Sequence, residues 1–81
     1  MMVTVTLLYF ASLRERTGVA SESVSTCAND LAGLYAEVQA RHGIAWPREH
    51  LRVAMNGEFA RWHDAPVEGS EIAFIPPVSG G

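Results

Sequence analysis

The 81-residue sequence predicts an α+β domain, a mixed sheet of about five strands packed on one main helix. Three observations predict it. Apolar residues alternate with period two near both ends of the chain, the one long stretch of 3.6-residue periodicity lies between them, and glycine- or proline-bearing turn clusters separate the segments. A chain this short buries only about 60 to 65% of the surface its unfolded form exposes, enough for one modest core and no deep substrate cavity. With 48% hydrophobic and 19% charged residues, the composition is that of a folded domain.

Val3-Thr4-Val5-Thr6-Leu7-Leu8-Tyr9-Phe10 reads as the first strand, with Val3, Val5, Leu7 and Tyr9 on one face and Thr4, Thr6, Leu8 and Phe10 on the other. Ala11 to Thr17 is expected to form a single turn closed by Gly18, and Val19 to Ser25 a polar edge strand. From Cys27 to His42 the period changes. Leu31, Leu34, Tyr35 and Val38 fall at i, i+3, i+4 and i+7, one apolar helix face. Thr26 or Asn29 can cap the start, Asp30 suits the first turn, Arg41 and His42 suit the last, and Gly43 can supply a left-handed stop. Gly33 is expected to mark close packing on the sheet.

Ile44 to Glu49 connects to a strand over 51–55. Asn56-Gly57 then signals a type I′ hairpin into Glu58 to Trp62, because both central positions need positive φ. Two turn clusters, 63–66 and 68–70, precede the last strand, Glu71 to Ile75. One helix covers only one sheet face. Parity from the core residues places Leu8, Phe10, Ala54, Phe59 and Ile75 on the uncovered face, expected to form a docking patch beside the end of the chain.

That end, Pro76-Pro77-Val78-Ser79-Gly80-Gly81, is read as an extended tail on a domain spanning 1–75. The prolines cannot donate to a sheet ladder, and the glycines allow close approach to a terminal carboxylate. Six extended residues reach at most roughly 20 Å.

Net charge is -3 and no cluster of basic residues appears, so neither a nucleic-acid nor an anionic-membrane footprint is present. No apolar run spans a bilayer and no signal-like leader is evident, so the expected location is the cytoplasm. The lone Cys27 excludes an intrachain disulfide and is read as a packing residue at the helix start. His42, His50 and His63 lack metal-ligand spacing; His63-Asp64 has no nucleophile motif around it. All six basic side chains are arginines, so a side-chain amine that receives an acyl group from this chain must belong to another protein. No phosphate-binding loop is present, which leaves the α-carboxylate of Gly81 as the candidate reacting group if the chain ends there.

The stretch Tyr9 to Glu15, Asn56-Gly57, and Glu68 through Ala73-Phe74-Ile75-Pro76-Pro77-Val78-Ser79-Gly80-Gly81 resembles the small-subunit family of molybdopterin synthase, the MoaD-type sulfur carriers. The resemblance covers essentially the whole chain. It implies a ubiquitin-like β-grasp fold and a cycle in which a ubiquitin-activating-type adenylyltransferase uses ATP to adenylate Gly81. A sulfur donor then forms a thiocarboxylate. Next, the tail enters the large synthase subunit, in a heterotetramer, to pass sulfur to cyclic pyranopterin monophosphate. No bound cofactor or metal is implied, and catalytic side chains would lie on the large subunit. By position, Phe10, Phe59 and Ile75 match the family's apolar partner contacts, and Leu8, on the same face by parity, is expected to join them. Ser70 departs from the usual acid of the Asp-Gly-Asp-Glu turn, and Gly57 sharpens the hairpin. Alternatives are a thiamine thiazole sulfur carrier and a ubiquitin-like modifier forming isopeptides on other proteins.

Overall fold

The computed structural model describes residues 2–77. Its elements follow one another as β1 (Val3–Tyr9), α1 (Ala11–Thr17), β2 (Ser21–Thr26), α2 (Leu31–His42), a 3₁₀ turn (Arg48–His50), β3 (Arg52–Met55), β4 (Glu58–Ala60) and β5 (Glu71–Ile75). The strands form one mixed sheet in the order β2-β1-β5-β3-β4. β1 and β5 run parallel and the other neighbours antiparallel, which is the β-grasp arrangement.

Alternation decides which face is buried. Val5, Leu7, Tyr9, Val53, Ile72 and Phe74 point to one side and are no more than 2% exposed. α2 lays Leu31, Leu34, Tyr35 and Val38 into the same core. Trp62 stacks on Phe74 at 6.1 Å between ring centroids, and the Tyr35 ring lies 5.1 Å from Phe74. Burial pushes the Tyr35 hydroxyl above its ordinary pKa, and it donates a 2.6 Å hydrogen bond to the Trp46 carbonyl.

The start of α2 differs from expectation. Asp30, rather than Thr26 or Asn29, is the cap, its carboxylate accepting from the Gly33 N–H at 2.8 Å. The next two amides, of Leu31 and Ala32, donate to the carbonyls of Asp64 and Trp62, both at 2.9 Å. Thr26 instead ends β2, buried, with its hydroxyl donating to Glu37 and accepting from the Ala28 N–H. A Cβ on Gly33 would stand 3.3 Å from the Asp30 carboxylate and 3.4 Å from the Ala28 Cβ, so the crowding there belongs to the cap and not to the sheet. Cys27 is exposed and does not pack at the helix start.

Residues 11–17 form a seven-residue helix rather than a single turn. Buried Leu13 anchors it, and Gly18 closes it at φ 81° with its N–H on the Arg14 carbonyl. Arg16 donates from Nε and Nη2 to the Gly43 carbonyl at 3.2 and 2.8 Å, tying α1 to the end of α2. β4 stops at Ala60, short of Trp62, because the Asp64 carboxylate takes the Arg61 N–H at 3.0 Å and begins a turn.

Candidate functional site

The uncovered face is built one row at a time by strand register. Leu8 of β1 lies opposite Ala73 of β5, Ala73 opposite Ala54 of β3, and Ala54 opposite Phe59 of β4. Small side chains therefore occupy the middle of the row and large ones its two ends. The consequence is a trough of about 280 Å³ lined by Leu8, Phe10, Ala54, Gly57, Phe59, Glu71, Ala73 and Ile75. All five residues that parity placed on this face line it. Phe59 is 70% exposed and Phe10 47%, large values for aromatic side chains. Ala11, next to Phe10, holds φ at 50°, a left-handed conformation that costs roughly 1 kcal/mol outside glycine.

The Asn56-Gly57 turn that carries the chain from β3 into β4 has φ 54° and 85°. Asparagine does two jobs there. It tolerates the left-handed region, and its Oδ1 accepts the Glu71 N–H at 2.9 Å while its own N–H donates to the Glu71 carbonyl at 2.8 Å. The hairpin is thus fastened to the first residue of β5. At the preceding turn Ser70 is buried and donates to the Val67 carbonyl at 2.6 Å, a role a carboxylate in its place would not fill.

The chain leaves β5 at the opposite end of the trough. Pro76 is buried and Pro77 exposed. A second recess, of about 350 Å³, lies there between Glu49, His50, Leu51 and Arg52 on one side and Phe59, Ile75, Pro76 and Pro77 on the other. Phe59 and Ile75 belong to both hollows, so the trough and the point where the chain leaves β5 are continuous. The Arg52 guanidinium sits over the Phe59 ring, 5.5 Å from its centroid. Val78, Ser79, Gly80 and Gly81 lie outside the described residues.

A larger cleft of about 360 Å³, lined by residues of α1 and the segment after α2, including Ser12, Arg16, Gly43 and Trp46, shares no residue with the trough or the exit. Its Arg16 is committed to the Gly43 carbonyl, so the trough and not this cleft is the candidate site.

The remaining reactive side chains are structural or exposed. His63 and His50 are exposed, and Asp64 serves the turn at Arg61. His42 does more than sit at a helix end. Its Nε2 meets Glu22 Oε2, which also accepts the Tyr9 hydroxyl at 2.6 Å, and Arg41 lies 3.5 Å from Glu22 Oε1. Burial alone would push the Glu22 carboxyl up; the Tyr9 and His42 hydrogen bonds and the nearby His42 and Arg41 charges outweigh it and hold it below the ordinary value. Burial first, then the bond to Glu22, pushes the Tyr9 hydroxyl far up. This cluster joins β1, β2 and α2 and went unread in the sequence, where Tyr9, Glu22 and His42 share no local pattern. The Arg52–Phe59 stack was equally hidden, although Arg52 has the same parity as Ala54. Among the described residues no group of three His, Cys, Asp or Glu side chains could hold a metal, and no helix is long and apolar enough to cross a membrane.

The ThiS family profile matches residues 7–81, the whole chain but its first six residues. The chain belongs to the ThiS family. This ThiS-family domain is 40% identical to the human molybdopterin synthase sulfur carrier subunit over 95% of this chain and 93% of that protein. Among solved structures it resembles the small archaeal modifier SAMP1 of Haloferax volcanii, with a TM-score of 0.75 and 27% identity over 96% of this chain and 99% of that one. It also resembles a chain in the complex of subunits 1 and 2 of molybdopterin-converting factor from Helicobacter pylori, with a TM-score of 0.65 and 26% identity over 98% and 100% of the two chains. The ubiquitin-like β-grasp fold expected from the sequence is thereby established.

Proposed function

We propose that this ThiS-family domain is the sulfur carrier subunit of a molybdopterin synthase. The observation that carries this reading is the 40% identity to the human sulfur carrier subunit along nearly the whole of both chains. The continuity of an exposed apolar trough with the point where the chain leaves β5 supports it, since a carrier must be gripped beside the arm it delivers.

In this reading residues 76–81 are the arm and Gly81 carries the reacting atom. A carboxylate resists nucleophiles, so it first attacks the α-phosphorus of ATP on a ubiquitin-activating-type adenylyltransferase, giving an acyl-adenylate and pyrophosphate. Sulfur delivered at the oxidation level of sulfide then attacks the acyl carbon, AMP departs, and a thiocarboxylate remains. Inside the large subunit, which the Helicobacter pylori complex suggests as partner, the thiocarboxylate gives its sulfur to cyclic pyranopterin monophosphate. The body supplies the grip through Leu8, Phe10, Phe59 and Ile75, while the side chains that act on Gly81 belong to other chains.

The similarity to SAMP1 supports a second reading, transfer of the activated terminus to a lysine of another protein. Intact-mass spectrometry after incubation with the cognate adenylyltransferase, ATP and a sulfur donor separates the two. Exchange of one oxygen for sulfur at Gly81, followed by sulfur transfer in the reconstituted synthase, is the expected outcome. High-mass conjugates without a thiocarboxylate would refute the carrier role.

A further inference from the structure

Along β5 the side chains of Glu71, Ala73 and Ile75 alternate onto the trough face, and Arg52 lies directly opposite Ile75. A carboxylate therefore stands at one end of an apolar channel and a guanidinium at the other. Four residues of extended chain separate the two rows, about 13 Å. The Arg52 end is also the end where Pro76 and Pro77 leave the sheet.

Both charges are exposed. Among the described residues no carboxylate lies within ion-pair distance of Arg52 and no cation within ion-pair distance of Glu71. Glu49 and His50 line the recess that Arg52 shares, yet the guanidinium rests on the Phe59 ring instead. Stacking holds the charge at the rim of the channel, and its hydrogen-bond donors have no partner among the described residues. At the other end the Glu71 backbone is anchored, its N–H and carbonyl both bonded to Asn56, which sets where its carboxylate starts from the sheet.

We propose that the trough seats one apolar segment of its protein partner in a single direction, with a partner carboxylate on Arg52 at the tail end and a partner cation on Glu71 at the other. This rests on the docking role given to the trough above. Apolar contact alone is indifferent to direction. A reversed segment would set carboxylate against Glu71 and cation against Arg52, so the charges select the orientation that presents the partner's catalytic cleft to the tail.

Titration calorimetry with the cognate large synthase subunit tests it. Arg52→Gln and Glu71→Gln are each expected to weaken binding about fivefold at low salt, the size of a rim ion pair, with the deficit shrinking as salt rises. The doubly reversed Arg52→Glu/Glu71→Arg chain is expected to bind more weakly than either. Arg52→Lys, which keeps charge, should retain the salt dependence that Arg52→Gln loses. If both glutamine variants bind like the parent at every salt concentration while Phe59→Ala binds poorly, the direction-setting role is overturned and docking at the trough stands. If Phe59→Ala also binds like the parent, docking at the trough fails with it.

Discussion

Replacing Phe59 by alanine separates docking from folding more sharply than any other change on this face. A phenylalanine side chain presents about 200 Å² of surface, so a residue 70% exposed leaves roughly 140 Å² for a partner to cover. At about 25 cal/mol per Å², covering it contributes about 3.5 kcal/mol, of which an alanine in its place would retain roughly a third. The expected loss is therefore about 2 kcal/mol, or about 30-fold in affinity for the large subunit. The isolated domain forfeits little. Among the described residues the ring stacks on Arg52, a contact worth about 0.5 to 1 kcal/mol at an exposed site. Calorimetric titration gives the affinity and thermal unfolding gives the stability of the same preparation. Unchanged affinity would refute the docking argument. A collapse of the unfolding midpoint would refute it equally, by showing that the ring holds the sheet together.

Deleting Gly81 should abolish sulfur transfer in the reconstituted synthase while leaving the unfolding midpoint unchanged; retained transfer, or loss of folding, would contradict the assignment of the reacting atom. Glu22 has a folded pKa below its unfolded one, so its stabilisation is fully present above the ordinary carboxylate pKa and disappears as pH falls through the lowered folded value. Glu22→Gln should accordingly flatten the acid limb of stability against pH, measured by urea unfolding across that window. Asn56→Ala loses the bond to the Glu71 N–H, about 1 kcal/mol, and also forces alanine into the left-handed region, about 1 kcal/mol more. Asn56→Gly should cost about half as much, since it loses the acceptor but meets no steric penalty, and equal losses would show that the backbone plays no part.

The sheet was legible because period-two alternation is a local signal with a global meaning. Once Leu7 and Phe74 are assigned to the core, neighbours one residue away must face the other side, and register brings Leu8, Ala73, Ala54 and Phe59 into one row without further information. Helix limits were less legible, since their determinants are distant in sequence. Three cap-competent side chains stand at Thr26, Asn29 and Asp30, and what selects Asp30 is the pair of carbonyls from Trp62 and Asp64 that receive the next two amides. The first helix was underestimated for a similar reason. Seven residues propagate poorly alone, and α1 stands on buried Leu13 and on the Arg16 bridge to Gly43. Pro76-Pro77 and Gly80-Gly81 single out the end of the chain in the sequence, but the charge beside Pro77 is not legible there, because Arg52 becomes a neighbour of Phe59 and Pro77 only through the sheet.

β5 couples the core to the trough and to the point where the chain leaves the sheet. Its even-numbered residues, Ile72 and Phe74, are fully buried, while Glu71, Ala73 and Ile75 line the trough, and Pro76 follows at once. Because side chains alternate with period two, inserting one residue near Ala73 would exchange the faces for every residue on one side of the insertion. The core could accept the exchange only by burying a residue such as Glu71 or by exposing Phe74, so the existing register is strongly specified. That same register places Ile75 opposite Arg52 and directs Pro76 out of the sheet beside Phe59. The point where Pro76 and Pro77 leave the sheet is thus secured by burial of Ile72 and Phe74 on the face that α2 covers. Ala73 completes the coupling. It is small enough to floor the trough yet is hydrogen-bonded between β1 and β3, so a larger side chain such as leucine would fill the channel without access to the core. Ala73→Leu is accordingly expected to fold normally and to dock poorly, measured by unfolding midpoint and calorimetry, and normal docking would show that the partner does not reach the floor.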